Sequence, residues 1–300
     1  MLPASTSNPD SPPARWPWPP LVSASVGLHL AAAGVALTGP QPALWALGAV
    51  VLNHLGLTAA GLWPRSALLG PNITRLPDAA AARGEVAITI DDGPDPEVTP
   101  AVLDLLAAHN ARATFFCIAD AAQAHPALLR RMVVAGHSVQ NHSAHHRHNF
   151  SLMGPRGLAN EIGNAQARLA DITGVMPHCF RAPAGLRNPL LDPVLHRLKL
   201  NLVSWTRRGF DTREGRADVV LARLVKGLRG GDILLLHDGH AARCANGHPV
   251  VLNVLPRLLN ACREAGLRPV TLADSVPRRT TRPGNDRLQA VALSLLGIGK

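Results

Sequence analysis

The chain has 300 residues, 47% of them hydrophobic and only 17% charged, with a formal net charge of +10. That length suits one large catalytic domain plus an appendage, and the apolar bias points to a membrane component. No basic helix or aromatic–basic interleaving of the nucleic-acid-binding kind is present, so nucleic acid is not an expected partner; anionic lipid or a phosphorylated substrate explains the charge better.

Residues 1–20 are rich in Pro and Ser and are expected to be disordered. From Trp16 to Pro64 there is no Asp, Glu, Lys or Arg. Two apolar runs, 21–37 and 43–62, flank a Gly-Pro-Gln-Pro break, and each approaches the ~20 residues a membrane-spanning helix needs. The expectation for residues 21–63 is therefore a transmembrane helical hairpin in a bacterial cell membrane, with lipid as its partner. Trp16, Trp18, Trp45 and Trp63 stand where a hairpin would meet the interfaces. Rival readings are a cleaved signal peptide and a buried hairpin within a soluble domain. Arg15, Arg65 and Arg75 flank the outer ends, which places the downstream domain in the cytoplasm by the positive-inside rule.

Residues 64–84 read as a linker. Beyond them, strand-like runs at 86–90, 113–118, 138–141, 179–181, 200–205, 232–237 and 269–272 alternate with helical patterns at 97–109, 126–135, 155–172, 189–198, 217–228 and 250–265. That alternation predicts an α/β domain over residues 85–277, a parallel sheet or β/α barrel, with seven strands favouring a barrel. Residues 278–300 form a tail, loop-like and then apolar. The four cysteines, Cys117, Cys179, Cys244 and Cys262, make no C-x-x-C pair, which excludes a zinc ribbon or dithiol motif but fixes no compartment.

In barrels the chemistry collects at the C-terminal ends of the strands. Here those ends carry Asp91-Asp92, His142 to His148, Arg181 to Gly185, Trp205 to Asp211, and His237-Asp238. An Asp pair followed by Gly-Pro can be an ordinary capped turn. At the mouth of a strand it can also divide labour, one carboxylate gripping a metal and the other handling a proton. His142 and His146, four apart, can converge on one metal, with Asp92 as the natural third ligand. Three protein ligands leave room for water and substrate, as a catalytic metal requires. His145 and His148 read as loop residues, although spacing alone also admits His145.

The run Thr89-Ile90-Asp91-Asp92-Gly93-Pro94 resembles the signature of the NodB-homology polysaccharide deacetylases, carbohydrate esterase family four. His142-Ser143-Ala144-His145-His146 is similar to that family's metal motif, Arg181-Ala182-Pro183-Ala184-Gly185 to its arginine loop, and Leu235-Leu236-His237 to its closing motif. The resemblance runs in order across roughly residues 85–275. It implies a distorted (β/α)7 barrel and a hydrolase that uses a divalent metal, usually Zn2+, to remove an N-acyl group from an amino sugar. By the same resemblance Asp92, His142 and His146 hold the metal and Asp91 is the general base. Arg181 orients Asp91, His237 is the general acid, and Asp211 keeps His237 charged. Trp205 and Ala184 belong to the substrate pocket.

The sequence also departs from the family. Ala184 stands where Tyr is frequent, Thr212 where an aromatic is, and Arg208 where an acid is. Arg207 and Arg208 are either a solvated surface pair or a recognition site for phosphate or carboxylate. The expected partner is an N-acylated amino sugar, either polymeric or, with the domain in the cytoplasm, lipid-linked. A reading of a different class is a non-catalytic, metal-dependent glycan-binding protein.

Overall fold

The computed structural model describes residues 16–279. The expectations for the first fifteen residues and for the apolar tail lie outside that range. Two helices open it, α1 (Pro20–Ala36) and α2 (Pro40–Leu62), each with Pro in its first turn, where the missing N–H costs nothing. They pack together through a hydrogen bond from Asn53 Nδ2 to Ser25 Oγ at 2.8 Å. Among the described residues only α2 is both long and apolar enough to cross a membrane. At 1.5 Å per residue its 23 residues span about 35 Å, whereas the 17 of α1 reach about 25 Å, short of a hydrocarbon core of about 30 Å. The two runs expected to match are thus unequal.

The segment 64–84 is no free linker. Pro64 O accepts from Ser204 Oγ at 2.7 Å, Ile73 bridges to Val203, and Arg75 pairs with Asp232 at 2.6 Å. Gly61 approaches Arg187 so closely that a Cβ there would sit on the Arg187 carbonyl oxygen. Trp16 is buried, donating to Asp192 Oδ2 at 2.6 Å, rather than lying at a lipid interface. Trp45 and Trp63 are exposed.

Eight strands form one parallel sheet: β1 (Glu85–Asp91), β2 (Thr114–Cys117), β3 (Ser138–Asn141), β4 (Cys179–Phe180), β5 (Asn201–Leu202), β6 (Arg207–Arg208), β7 (Ile233–His237) and β8 (Arg268–Val270). Their order is β5-β4-β3-β2-β1-β7-β6, with β8 also paired to β1. β5 and β6 end the sheet without pairing to each other, so the barrel is curled but open. The seven expected strands are present within a residue or several, and the eighth, β6, is the two-residue run that the sequence hid inside a loop.

Strand alternation decides what faces inward. Val86, Ile88 and Ile90 of β1 join the apolar cluster under the surrounding helices, as do Leu234 and Leu236 of β7. The alternate positions, Thr89 and Asp91 on β1 and Leu235 and His237 on β7, face inside, where they meet Arg181 or line the pocket. The register sets Asp91 directly beside His237.

Candidate active site

A pocket of about 510 Å³ opens at the C-terminal ends of the strands, lined among others by Asp91, Asp92, His142, His146, Ala184, Trp205, Arg208 and His237. Consecutive strand residues should point to opposite faces, yet both aspartates line this pocket. Asp92 leaves β1 in the left-handed region, φ 75°, and that turn breaks the alternation. The next residue, Gly93, has no room for a side chain, because a Cβ would overlap the Asp238 carboxylate.

Asp92, His142 and His146 converge. Asp92 Oδ1 lies 3.2 Å from His142 Nε2 and 3.3 Å from His146 Nε2, and the ligand atoms all fall within 4.8 Å of one another. Tetrahedral ligands at about 2.0–2.1 Å from a zinc-sized cation stand about 3.3 Å apart. Asp92 Oδ1 is buried and, despite these short approaches, has no partner in hydrogen-bond geometry. His142 Nδ1 lies 2.8 Å from the Arg181 carbonyl, to which only an N–H can donate, so Nε2 is the nitrogen turned to Asp92. The three side chains fit a divalent cation. Burial, reinforced by His142, pushes His146 down to about 4, which keeps it neutral as a metal ligand must be. His145 is directed elsewhere, to Asp120 at 2.6 Å.

Arg181 is fully buried and uses all three of its guanidinium nitrogens. It donates to Asp91 Oδ1 at 2.6 Å, Thr89 Oγ1 at 2.8 Å, and the carbonyls of Ser204 and Val203, while its guanidinium lies 4.1 Å from the Phe116 ring centre. One Asp91 oxygen is thereby fixed. The other, Oδ2, lies 3.9 Å from His142 Nε2. His237 is held twice by Asp211: Nδ1 is 2.9 Å from Oδ1, and its backbone N–H donates to Oδ2 at 2.7 Å. Burial opposes the imidazolium, but the Asp211 carboxylate, helped by Asp91 and Asp92, outweighs it and raises His237 above the ordinary histidine value.

Arg207 is not in the pocket. It turns the other way along β6, pairs with Asp232 at 2.5 Å, and donates to the carbonyls of Lys226 and Gly227. Alternation on the two-residue strand sends Arg208 inward instead. Sequence reasoning gave Asp238, at the end of its strand, no role and passed over His240. Asp238 is buried, receives the Thr99 hydroxyl at 2.5 Å, and is pushed up to about 7 by burial; His240 Nδ1 lies 3.5 Å from Asp92 Oδ2. The adjacency of Asp238 to His237 was the only sequence signal for either.

A family model described as polysaccharide deacetylase matches residues 78–203. A chitooligosaccharide deacetylase from Azorhizobium caulinodans is 35% identical over 159 residues, 52% of this chain and 75% of that protein. This chain belongs to the polysaccharide deacetylase family. A peptidoglycan-N-acetylglucosamine deacetylase from Listeria monocytogenes is 32% identical over 178 residues, 59% of this chain but only 37% of the relative's own length. Among solved structures, a family 4 carbohydrate esterase from Streptomyces lividans in complex with acetate superposes with a TM-score of 0.58 at 29% identity, covering 66% of this chain and 97% of that one. The family model's match begins beyond α1 and α2 and runs from just before β1 through β5.

Proposed function

We propose that this protein hydrolyses an N-acyl group, N-acetyl in the simplest case, from an amino-sugar glycan, with Zn2+ as the resident cation. The observation that carries the reading is the register of β1 and β7. It sets Asp91 and His237, the base and the acid of this proposal, side by side, each with its own fixed partner, at the lip of the Asp92–His142–His146 cluster. A cation held by those three residues would supply Lewis acidity, polarising the acyl oxygen and acidifying the attacking water.

The side chains of the chain do the rest. Asp91, with Oδ1 tied to Arg181, takes a proton from the water as its oxygen bonds to the acyl carbon. His237 gives its Nε2 proton to the sugar nitrogen as the C–N bond breaks, releasing a carboxylate and a free amine. Asp211 holds Nδ1, so the proton to be donated is the one facing the pocket. General acid and base groups of this kind each contribute about 10²- to 10⁴-fold. A glycan-binding protein without catalysis would need neither Asp91–Arg181 nor His237–Asp211.

We propose further that α2 anchors the chain in a bacterial membrane. Because α2 docks through Gly61, and Pro64 just beyond it, beside the Arg181–Arg187 loop, the pocket would then sit close to the lipid surface. That placement favours, as a second reading, a substrate carried on a lipid. An apolar cleft of about 320 Å³ between His54, Leu57 and Leu62 of α2 and the 187–190 loop has the character an acyl or prenyl chain would require. The test is direct. Protein stripped with a chelator is incubated with N-acetylated glycan, with and without added Zn2+, and released acetate and exposed amine are counted. Release that depends on zinc supports the reading, and zinc binding without release refutes it.

A further inference from the structure

Arg208 lines the pocket but has no task in the reaction above. Its guanidinium lies 5.3 Å from the Trp205 ring centre and 5.1 Å from that of Phe210, so two aromatic side chains support it on the pocket wall. Neighbouring arginines are neutralised: Arg181 pairs with Asp91 at 2.6 Å and Arg207 with Asp232 at 2.5 Å. Among the described residues Arg208 has no carboxylate and no hydrogen-bond acceptor, and its Nε is buried without a partner. A buried donor of this kind is costly unless something arrives to accept from it. Arg213, exposed on the same pocket and likewise without a carboxylate, adds a second positive charge at the rim.

The pocket carboxylates cannot neutralise this wall. Asp91 belongs to Arg181 and Asp92 to the histidines. A guanidinium set over two aromatic rings keeps its planar fork of donors available, and that fork matches the two oxygens of a carboxylate or phosphate. Resting on the deacetylase reading, we propose that the substrate is an acidic amino sugar, whose carboxylate or phosphate is bound by Arg208 with Arg213 at the rim. Arg208 thereby selects which N-acyl sugar enters, and a neutral N-acetylglucosamine chain is the poorer substrate.

Three matched probes test this: a neutral N-acetylglucosamine oligomer, the same oligomer bearing a phosphate, and one bearing a carboxylate. For wild type, kcat/KM on a charged probe should exceed that on the neutral one by about 10- to 100-fold, the worth of a charge-assisted bond. Arg208→Gln should erase that ratio, chiefly by raising KM for the charged probe. Arg208→Lys, which keeps charge but not the fork, should fall between, and provides the variant if the glutamine protein melts early. Preference for the phosphate or the carboxylate probe names the group, and either supports the proposal. Equal ratios in wild type and Arg208→Gln overturn it while leaving deacetylation standing. If no probe is turned over, the deacetylase reading fails, and calorimetry of the charged probes then decides. Tighter binding to wild type than to Arg208→Gln upholds the anion site, and equal or absent binding overturns it.

Discussion

Replacing Asp211 with Asn separates the charge on His237 from the position of its ring. Asp211 is fully buried, and its two oxygens are both used by His237, one by Nδ1 at 2.9 Å and one by the backbone N–H at 2.7 Å. That adjacent carboxylate favours the imidazolium and holds His237 above the ordinary histidine value. Asp211→Asn removes it, so His237, now dominated by burial, loses its proton at lower pH. The sign follows. As the acid, His237 must be protonated, so the alkaline limb of kcat/KM moves to lower pH and the rate above both limbs falls. Asparagine also brings one acceptor where two donors need accepting, and the unpaired group costs about 1–3 kcal/mol. The assay is a pH profile of kcat/KM for both proteins, with metal content and thermal melting recorded beside it. A folded, metal-loaded Asp211→Asn protein whose alkaline limb stays in place would refute the assignment of His237 as the acid.

Other expectations follow from single contacts. Arg181→Met strands the buried Asp91 carboxylate and should destabilise the fold by about 3–5 kcal/mol in urea unfolding; a loss below about 1 kcal/mol would contradict the pairing. Asp92→Ala should abolish stoichiometric zinc by elemental analysis and lower activity by at least about 100-fold, with the fold retained. Gly61→Val forces a side chain onto the Arg187 carbonyl, so it should undock α2 at a cost of about 1–3 kcal/mol and open residues 62–72 to limited proteolysis. Asp238 is raised to about 7 by burial, so its contribution to stability is full below the ordinary carboxylate value and lost as pH rises through 7. In chelator-treated protein, melting temperature should decline across that window, and Asp238→Asn should flatten the decline.

The candidate site was legible because its residues sit where short motifs end strands. Thr89 to Pro94, His142 to His146 and Leu235 to His237 each put polar residues at or just past the end of a short strand. Register then brings them together without further information. What sequence could not show depended on contacts between distant segments. Arg207 and Arg208 are chemically identical neighbours, and only the two-residue strand β6, paired to β7, sends one to Asp232 and the other to the pocket. The stretch 64–84 has a linker's share of Pro and Gly, yet it is pinned by partners more than a hundred residues away, such as Ser204 and Asp232. Asp238 had only its place beside His237 to mark it, and its burial against Gly93 and Thr99 is visible only once β1 and β7 are side by side.

The measurement that bears most directly on the account is acetate release by wild type and Asp91→Asn, matched for zinc content and for glycan affinity. The account predicts that Asp91→Asn binds metal and glycan as wild type does but turns over about 10²- to 10⁴-fold more slowly. Equal turnover by the two proteins, or glycan bound tightly by a zinc-loaded wild type that releases nothing, would contradict it.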